Sequence, residues 1–151
     1  MIIATVLMAM MPLSSPSDVT NLRLWFVQSA TSEVACEQLL LASEDGQSIE
    51  QQAYHAVALM MQAQYLFSPL EKLRSFNRGR TTLDRLIRNH PNNLEIRWLR
   101  HCVQQQAPTL LNYQGNIVED ARVIRAALKK TSDVALREFI IAQDRRRHAY
   151  Y

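Results

Sequence analysis

The chain has 151 residues, which is enough for one ordinary domain. Hydrophobic residues make up 48% and charged residues 21%, a balance that is typical of globular proteins and excludes a disordered chain. The net charge is only +3, but the bases are unevenly distributed. Residues 1–71 hold one base, Arg23, against seven acids, whereas residues 72–100 hold eight bases against two acids. A basic segment therefore lies in the middle of the chain.

The first segment is uncharged and largely apolar. Residues 2–11 form a run that suits the core of a signal peptide and is too short to span a bilayer. Ser15 and Ser17 are small residues that would suit cleavage before Asp18. We therefore predict that residues 1–17 are a signal peptide and that the chain is exported to the periplasm or cell envelope. The alternatives are an apolar first helix that docks on the core, and a misplaced start codon.

The rest of the chain is predicted to be a single helical domain, residues 18–147, followed by a frayed C-terminal end, residues 148–151. The three glycines and the lack of alternating runs rich in Val, Ile or Thr disfavour sheets. Gly46, Pro91 and Pro108 are typical helix stops. The predicted helices lie near residues 19–43 (with or without a break at Thr31–Ser32), 49–67, 70–89, 93–106, 117–129 and 133–147.

Four helix starts show the spacing of a capping box. In this motif the cap side chain accepts from an early backbone N–H, and an acid or amide three residues later reaches back to the N–H of the cap. We therefore assign a structural, helix-capping role to four pairs of residues: Ser48 with Gln51, Ser68 with Glu71, Asn92 with Glu95, and Asn116 with Glu119.

The segment 51–70 contains no charged residue. Its four glutamines, with His55 and Pro69, argue against a membrane span. At about 100° per residue, its apolar positions from Ala53 to Phe67 cover more than half of a helical wheel. We predict the central, mostly buried helix of a bundle.

Glu95 raises a separate question, because it projects into the middle of the apolar arc of the helix near 93–106. We interpret it as the N3 residue of a helix capped by Asn92, where a carboxylate meets unsatisfied N–H groups and the positive end of the helix dipole. This interpretation makes Glu95 structural, not catalytic, and predicts that Glu95→Gln is mild.

No constellation of catalytic or metal-binding residues is found. His101 and Cys102 are adjacent, so on a helix their side chains diverge by about 100°, and the four histidines lack i,i+4 partners. There is no HExxH or CxxC motif and no glycine-rich phosphate loop. We predict no enzyme activity, no cofactor and no metal, with an unrecognised hydrolase as a remote alternative. Cys36 and Cys102 could form a disulfide in an exported chain, but we favour two small buried hydrophobic residues.

Two resemblances concern the second half of the chain. Gly79, Leu83, Leu86 and Pro91 resemble the second helix of a tetratricopeptide repeat, with its spacing of four, three and five. The string "PNNLEIRWLRHCVQQQAPTLLNY", followed by "NIVED", resembles an uncharacterised family of small, apparently exported all-helical proteins of Bacteroidetes bacteria. This second resemblance implies a fold type and no catalytic residues. The fold class is therefore predicted as all-α, with five to six antiparallel helices in tetratricopeptide-like pairs or a helical bundle.

The basic segment has one ordered feature. Its apolar residues share one arc of the helix near 70–89, and Arg80 lies close to that arc, where Asp84 at i+4 can pair with it. Four further arginines line the opposite arc within about 80°: Arg74, Arg78, Arg85 and Arg88. We call these four the arginine stripe.

The arginine stripe has two interpretations, a solvated face or a docking surface for an acidic protein partner. Nucleic acid is disfavoured, because aromatic residues do not interleave with the arginines. The predicted function is non-catalytic protein–protein binding by an exported protein. The alternative is a cytoplasmic adaptor that binds an acidic protein or nucleic acid through the stripe.

Overall fold

The computed structural model describes residues 16–148, and side chains from 19 to 147. The described residues form seven α-helices and one 3₁₀ turn, with no strand. The helices are α1 (Pro16–Gln28), α2 (Glu33–Ser43), α3 (Ile49–Gln62), α4 (Pro69–Asn89), α5 (Leu94–Gln106), α6 (Ile117–Leu128) and α7 (Val134–His148), and the 3₁₀ turn is Thr109–Leu111. The predicted all-α class is confirmed. Residues 149–151 of the predicted frayed end and residues 1–15 of the predicted signal peptide lie outside the described residues. His148, the first residue of the predicted frayed end, is the last residue of α7.

Seven helices replace the predicted five to six, because the segment 19–43 forms two helices. The α1 ladder ends where the N–H groups of Thr31 and Ser32 both donate to the carbonyl of Gln28. Ser32 is also the N-cap of α2, since its hydroxyl accepts from the N–H of Ala35 at 3.2 Å. The chain therefore breaks the helix at Thr31–Ser32, the position at which the sequence allowed a break.

The central helix is shorter than predicted. The ladder of α3 ends at Gln62, where tight turns begin: the N–H of Tyr65 donates to the Gln62 carbonyl at 2.9 Å. Phe67 consequently lies beyond the helix and is fully exposed. The prediction that Phe67 lies on the buried arc of this helix was wrong. The central position of α3 itself is confirmed, because it packs against α1, α2, α4 and α5.

Helices α3 and α4 run antiparallel at very short separation. The hydroxyl of Ser75 donates to the carbonyl of Leu59 at 2.6 Å. One turn further along α4, Gly79 faces α3, and a Cβ built on it would lie 2.2 Å from the carbonyl oxygen of Ala56. A glycine is therefore required at this contact, which brings the two backbones together.

Aromatic side chains of the core connect α5 with α1 and α7. The fully buried Trp98 of α5 meets the ring edges of Phe26 on α1 and Phe139 on α7, with centroids 5.6 and 5.3 Å apart. Such aromatic contacts add to the free energy gained by burying apolar area. Cys36 and Cys102 are both free and buried, which fits the interpretation as small hydrophobic residues.

Candidate functional site

Two of the four predicted side-chain caps form, and a third helix starts at the expected residue without its capping hydrogen bond. Ser48 and Gln51 make both halves of a capping box, and the Ser68 hydroxyl accepts from the N–H of Glu71 at 3.5 Å. Asn116 is the N-cap residue of α6, but its side chain makes no capping hydrogen bond. Its Oδ1 accepts instead from Gln104 at 3.4 Å.

The fourth cap was assigned to the wrong residue. Asn93, not Asn92, caps α5, since its Oδ1 accepts from the N–H of Ile96 at 3.1 Å. Its Nδ2 donates to Glu50 Oε1 at 3.0 Å, which holds the cap in place from α3. Glu95 is therefore the second helical residue, and its carboxylate does not complete a capping box. The helix therefore starts one residue later than predicted, and its cap also contacts a distant segment of the chain.

Glu95 instead belongs to a buried polar cluster. Arg23 of α1 donates to it in a bidentate arrangement, Nε to Oε1 at 2.8 Å and Nη2 to Oε2 at 2.9 Å. The hydroxyl of Tyr54 donates to Oε1 at 2.7 Å. Burial, followed by the charge of Glu95, raises the pKa of Tyr54 well above its ordinary value. The cluster thus holds α1, α3 and α5 together.

A second buried cluster lies on the opposite side of α5. Asp120 of α6 is 0% exposed and accepts from two arginines, Arg97 Nη1 at 2.7 Å and Arg100 Nε and Nη2 at 2.7 and 2.8 Å. Arg100 also donates to Asp84 of α4 at 3.3 Å, and so does the hydroxyl of Tyr113 at 3.0 Å. Sequence reasoning missed both clusters. The available signal was the segment "LEIRWLR", which places three charges in an otherwise apolar helix.

The buried carboxylates are engaged in ion pairs, and the buried thiols are neutral. The carboxylates of Glu95 and Asp120 already accept hydrogen bonds at both oxygens, mainly from arginines. Burial raises the pKa of Cys102 to about 12 and that of Cys36 to about 11, which keeps both thiols protonated at neutral pH. Among the described residues, no three His, Cys, Asp or Glu lie close enough to hold a metal ion.

The arginine stripe lies on the solvent face of α4. All four side chains are exposed, and no hydrogen bond or ion pair joins them to the described part of the chain. Arg80 differs, as expected from its place near the apolar arc. Its Nε lies 3.9 Å from Asp84, and its guanidinium lies 4.9 Å from the ring centroid of Tyr113. The structure therefore separates the stripe from the arginines that stabilise the fold.

An apolar groove opens beside the first turns of α4. It has a volume of about 570 Å³, within the roughly 300–1,000 Å³ of typical ligand pockets. Its floor includes Met60, Phe76 and Val103, contributed by α3, α4 and α5, and the 3₁₀ turn closes one side. Among the described residues that line it, Lys72 is the only charged one. Sequence reasoning missed this groove because its walls come from five separate helical elements.

Large apolar side chains at the rim of the groove remain in solvent. Leu73 of α4 is 47% exposed and Leu110 of the 3₁₀ turn is 86% exposed, and both line the groove. Leu70 and Phe67 are also exposed and flank Pro69, another lining residue. Because residues four apart share a helix face, Leu70 lies directly before Arg74 of the stripe. The groove and the arginine stripe nevertheless lie on opposite arcs of α4, because the lining residues Leu73 and Phe76 belong to the apolar arc and only Leu70, which does not line the groove, lies on the side of the stripe.

None of the described helices is both long enough and apolar enough to cross a membrane. Comparison with known proteins found no matching family model, no matching curated protein and no matching solved structure. The resemblances to the Bacteroidetes family and to tetratricopeptide repeats therefore stay predictions.

Proposed function

We propose that this chain acts without catalysis, by binding a protein partner in the periplasm or cell envelope, and that the arginine stripe is the docking surface for an acidic partner. The observation that carries the proposal is the division of the arginines into two sets. Those at Arg23, Arg97 and Arg100 each have a carboxylate partner inside the protein. The four of the stripe have none among the described residues.

A contribution to the stability of the fold does not explain the arginine stripe. Like charges three or four residues apart on a helix are unfavourable by a few tenths of a kcal/mol, about 0.2–0.5 per pair. The stripe spans residues 74–88, or about 21 Å of helix at 1.5 Å per residue. A row of that length can meet several acidic groups of one partner at once and steer its approach.

Helix pairs of the tetratricopeptide kind would suit such a role, with α3/α4 and α5/α6 as successive pairs.

The predicted export of the chain can be tested by a single measurement. We expect mass spectrometry of the mature protein to find an N-terminus near Asp18. An intact N-terminus in cell extract would favour the alternative, a cytoplasmic adaptor that uses the same stripe for an acidic protein or nucleic acid.

The docking surface itself can be tested with a defined acidic probe and a matched control. One variant replaces Arg74, Arg78, Arg85 and Arg88 with Gln; the control replaces four exposed bases of α6 and its end, Arg122, Arg125, Lys129 and Lys130, with Gln. Both variants lose four charges, so they differ only in where the charge is removed. We expect fluorescein-labelled polyglutamate to bind the stripe variant at least about tenfold more weakly than the control, with a smaller dependence on salt. Equal binding by the two variants would mean that only net charge matters.

A further inference from the structure

We propose that the acidic partner of the arginine stripe is a second copy of this chain, which docks through a row of glutamates on the outer face of α2. This inference rests on the proposed function and names the partner of the same surface. The glutamates are Glu33, Glu37 and Glu44, and we call them the acidic stripe. Their exposure, their spacing and their separation from α4 within one copy support the inference.

The acidic stripe lies in solvent without partners in the described part of the chain. All three side chains are exposed, and no hydrogen bond or ion pair joins them to other described residues. By contrast, Asp84, Glu95 and Asp120 are each paired with an arginine. Residues 1–71 contain one base, Arg23, which is itself paired with Glu95. The negative charge of α2 is therefore free to attract another molecule.

The acidic stripe has the same spacing as the first three members of the arginine stripe. Its glutamates lie at i, i+4 and i+11, within about 40° of one another on a helix, and Arg74, Arg78 and Arg85 follow the same spacing. Glu44 is the C-cap of α2, and its φ of −56° and ψ of −46° are still helical. Both rows therefore span about 16.5 Å at 1.5 Å per residue. Each glutamate of one copy can face an arginine of another copy.

Helix α3 separates the two stripes within one copy. Helix α2 packs against α1 and α3, and α4 packs against α3 and α5. The acidic stripe therefore meets an arginine stripe only when two copies come together. Because two different surfaces meet, one contact leaves one stripe of each kind free. The association can therefore continue head-to-tail or close into a ring.

Exposed apolar side chains lie next to both stripes. On α2, Val34 is 65% exposed and Leu41 is 68% exposed. On α4, Leu70 is 55% exposed and precedes Arg74 by one turn on the same arc. Contact between copies would cover these side chains and remove water from around the ion pairs, which strengthens the attraction between the charges. The two surfaces therefore offer apolar area as well as complementary charge.

Sedimentation velocity of the full chain over a range of concentrations measures the association. We expect oligomers at low salt that dissociate as the salt concentration rises, because exposed ion pairs are individually weak and are screened. The acid variant replaces Glu33, Glu37 and Glu44 with Gln. The acid variant and the stripe variant should each associate at least about tenfold more weakly than the native chain. The α6 control variant, which loses as many positive charges as the stripe variant, should associate like the native chain.

Mixing the two variants tests whether the two stripes meet each other. The stripe variant keeps its acidic stripe and the acid variant keeps its arginine stripe, so one copy of each can form one complete interface. We expect a mixed dimer of one copy of each, under conditions in which neither variant associates alone. No larger species should form, because both outer surfaces of that dimer lack their charges. Circular dichroism verifies that both variants are folded.

The outcomes separate the inference from the function on which it rests. A chain that stays monomeric at every concentration, while its stripe still binds polyglutamate, would overturn the inference and leave the acidic docking surface. If polyglutamate binding is also insensitive to the stripe, the proposed function fails as well. Two variants that each lose association and stay monomeric when mixed would show that the stripes do not meet. Self-association that the stripe variant retains, and that Leu73→Gln with Leu110→Gln abolishes, would assign the interface to the apolar groove. Either of these last two results also overturns the inference.

Discussion

Arg97 and Arg100 of α5 are almost fully buried and donate to Asp120, whereas Arg74 and Arg78 of α4 lie in solvent with no partner among the described residues. The two helices are neighbours in the chain and carry arginines at similar density. The difference is made by a carboxylate on a third helix, α6, which packs against α5 and not against the outer face of α4. A charge is retained inside a protein only where a partner is brought to it by packing, because an unpaired buried ion is strongly unfavourable.

The largest expected effect is at the centre of the buried cluster. Asp120→Asn leaves two buried arginines without their shared carboxylate, so we expect the free energy of unfolding to fall by about 4 kcal/mol. The control is Glu119→Gln, which removes the other acid next to Arg97, 3.3 Å from Nη1. Its side chain is 50% exposed, so its loss should cost less than about 1 kcal/mol. Urea denaturation followed by circular dichroism measures both, and similar losses would contradict the assignment of Asp120 as the central acceptor.

Glu95→Gln should have the next largest effect. It leaves the nearly buried Arg23 with only the exposed Asp133, 3.9 Å from Nη2, as a carboxylate partner, and we expect a loss of about 3 kcal/mol. Tyr54→Phe removes one donor but keeps the ion pair, so its cost should be nearer about 1.5 kcal/mol. The interpretation of Glu95 as a cap residue predicts instead that the Gln variant is mild. Chemical denaturation of the two variants decides between these results. If Glu95→Gln changes the free energy of unfolding by less than about 0.5 kcal/mol, the interpretation of Glu95 as a capping residue is supported instead.

Substitution to alanine should be destabilising on the face of α4 that packs against α3 but not on its exposed face. At Gly79 an added methyl group meets the Ala56 carbonyl and the side chain of Met60. Overpacking of this kind costs roughly 1–3 kcal/mol, which outweighs the gain of about 1 kcal/mol in helix propensity. We therefore expect Gly79→Ala to lower the melting temperature. Asn77→Ala on the exposed face should not, and a stabilised Gly79→Ala protein would mean that α3 and α4 can move apart freely.

The smallest expected effect on stability is that of replacing the exposed arginine stripe. Replacing all four stripe arginines with Gln should leave the melting temperature nearly unchanged, because surface substitutions are usually worth within about 0.5 kcal/mol and mutual repulsion is relieved. Scanning calorimetry at low and moderate salt measures this. A clear destabilisation would give the stripe a structural role and remove the main argument for a docking surface.

Much of the helical fold follows from local chemistry that the sequence displays. Ser48 with Gln51, and Ser68 with Pro69, define the starts of α3 and α4, since a cap needs only residues close to it in the chain. The alignment of the arginine stripe on one arc of α4 is equally local, because it depends on the 3.6-residue period alone. For the same reason the arc could be predicted to face solvent, and the four side chains do so.

Other features depended on contacts between residues far apart in the chain. Asn93, the cap of α5, donates to Glu50 of α3, and the carboxylate of Glu95 accepts from Arg23, 72 residues away in the chain. No local pattern carries that information. The α3 prediction extended too far for a related reason: Phe67 fits the apolar period, but the chain turns after Gln62.

By itself, the sequence determined where most helices begin, which face of each is apolar, and that one face of α4 is lined with arginine. These depend on hydrogen bonds and side-chain spacings within a few residues. Only the tertiary structure decided which charges are buried in pairs, that α3 and α4 meet at Gly79, and that an apolar groove opens between α3, α4 and α5. Burial and concavity are properties of several segments packed together, and the free energy that selects them is spread over contacts that no single stretch of the chain contains.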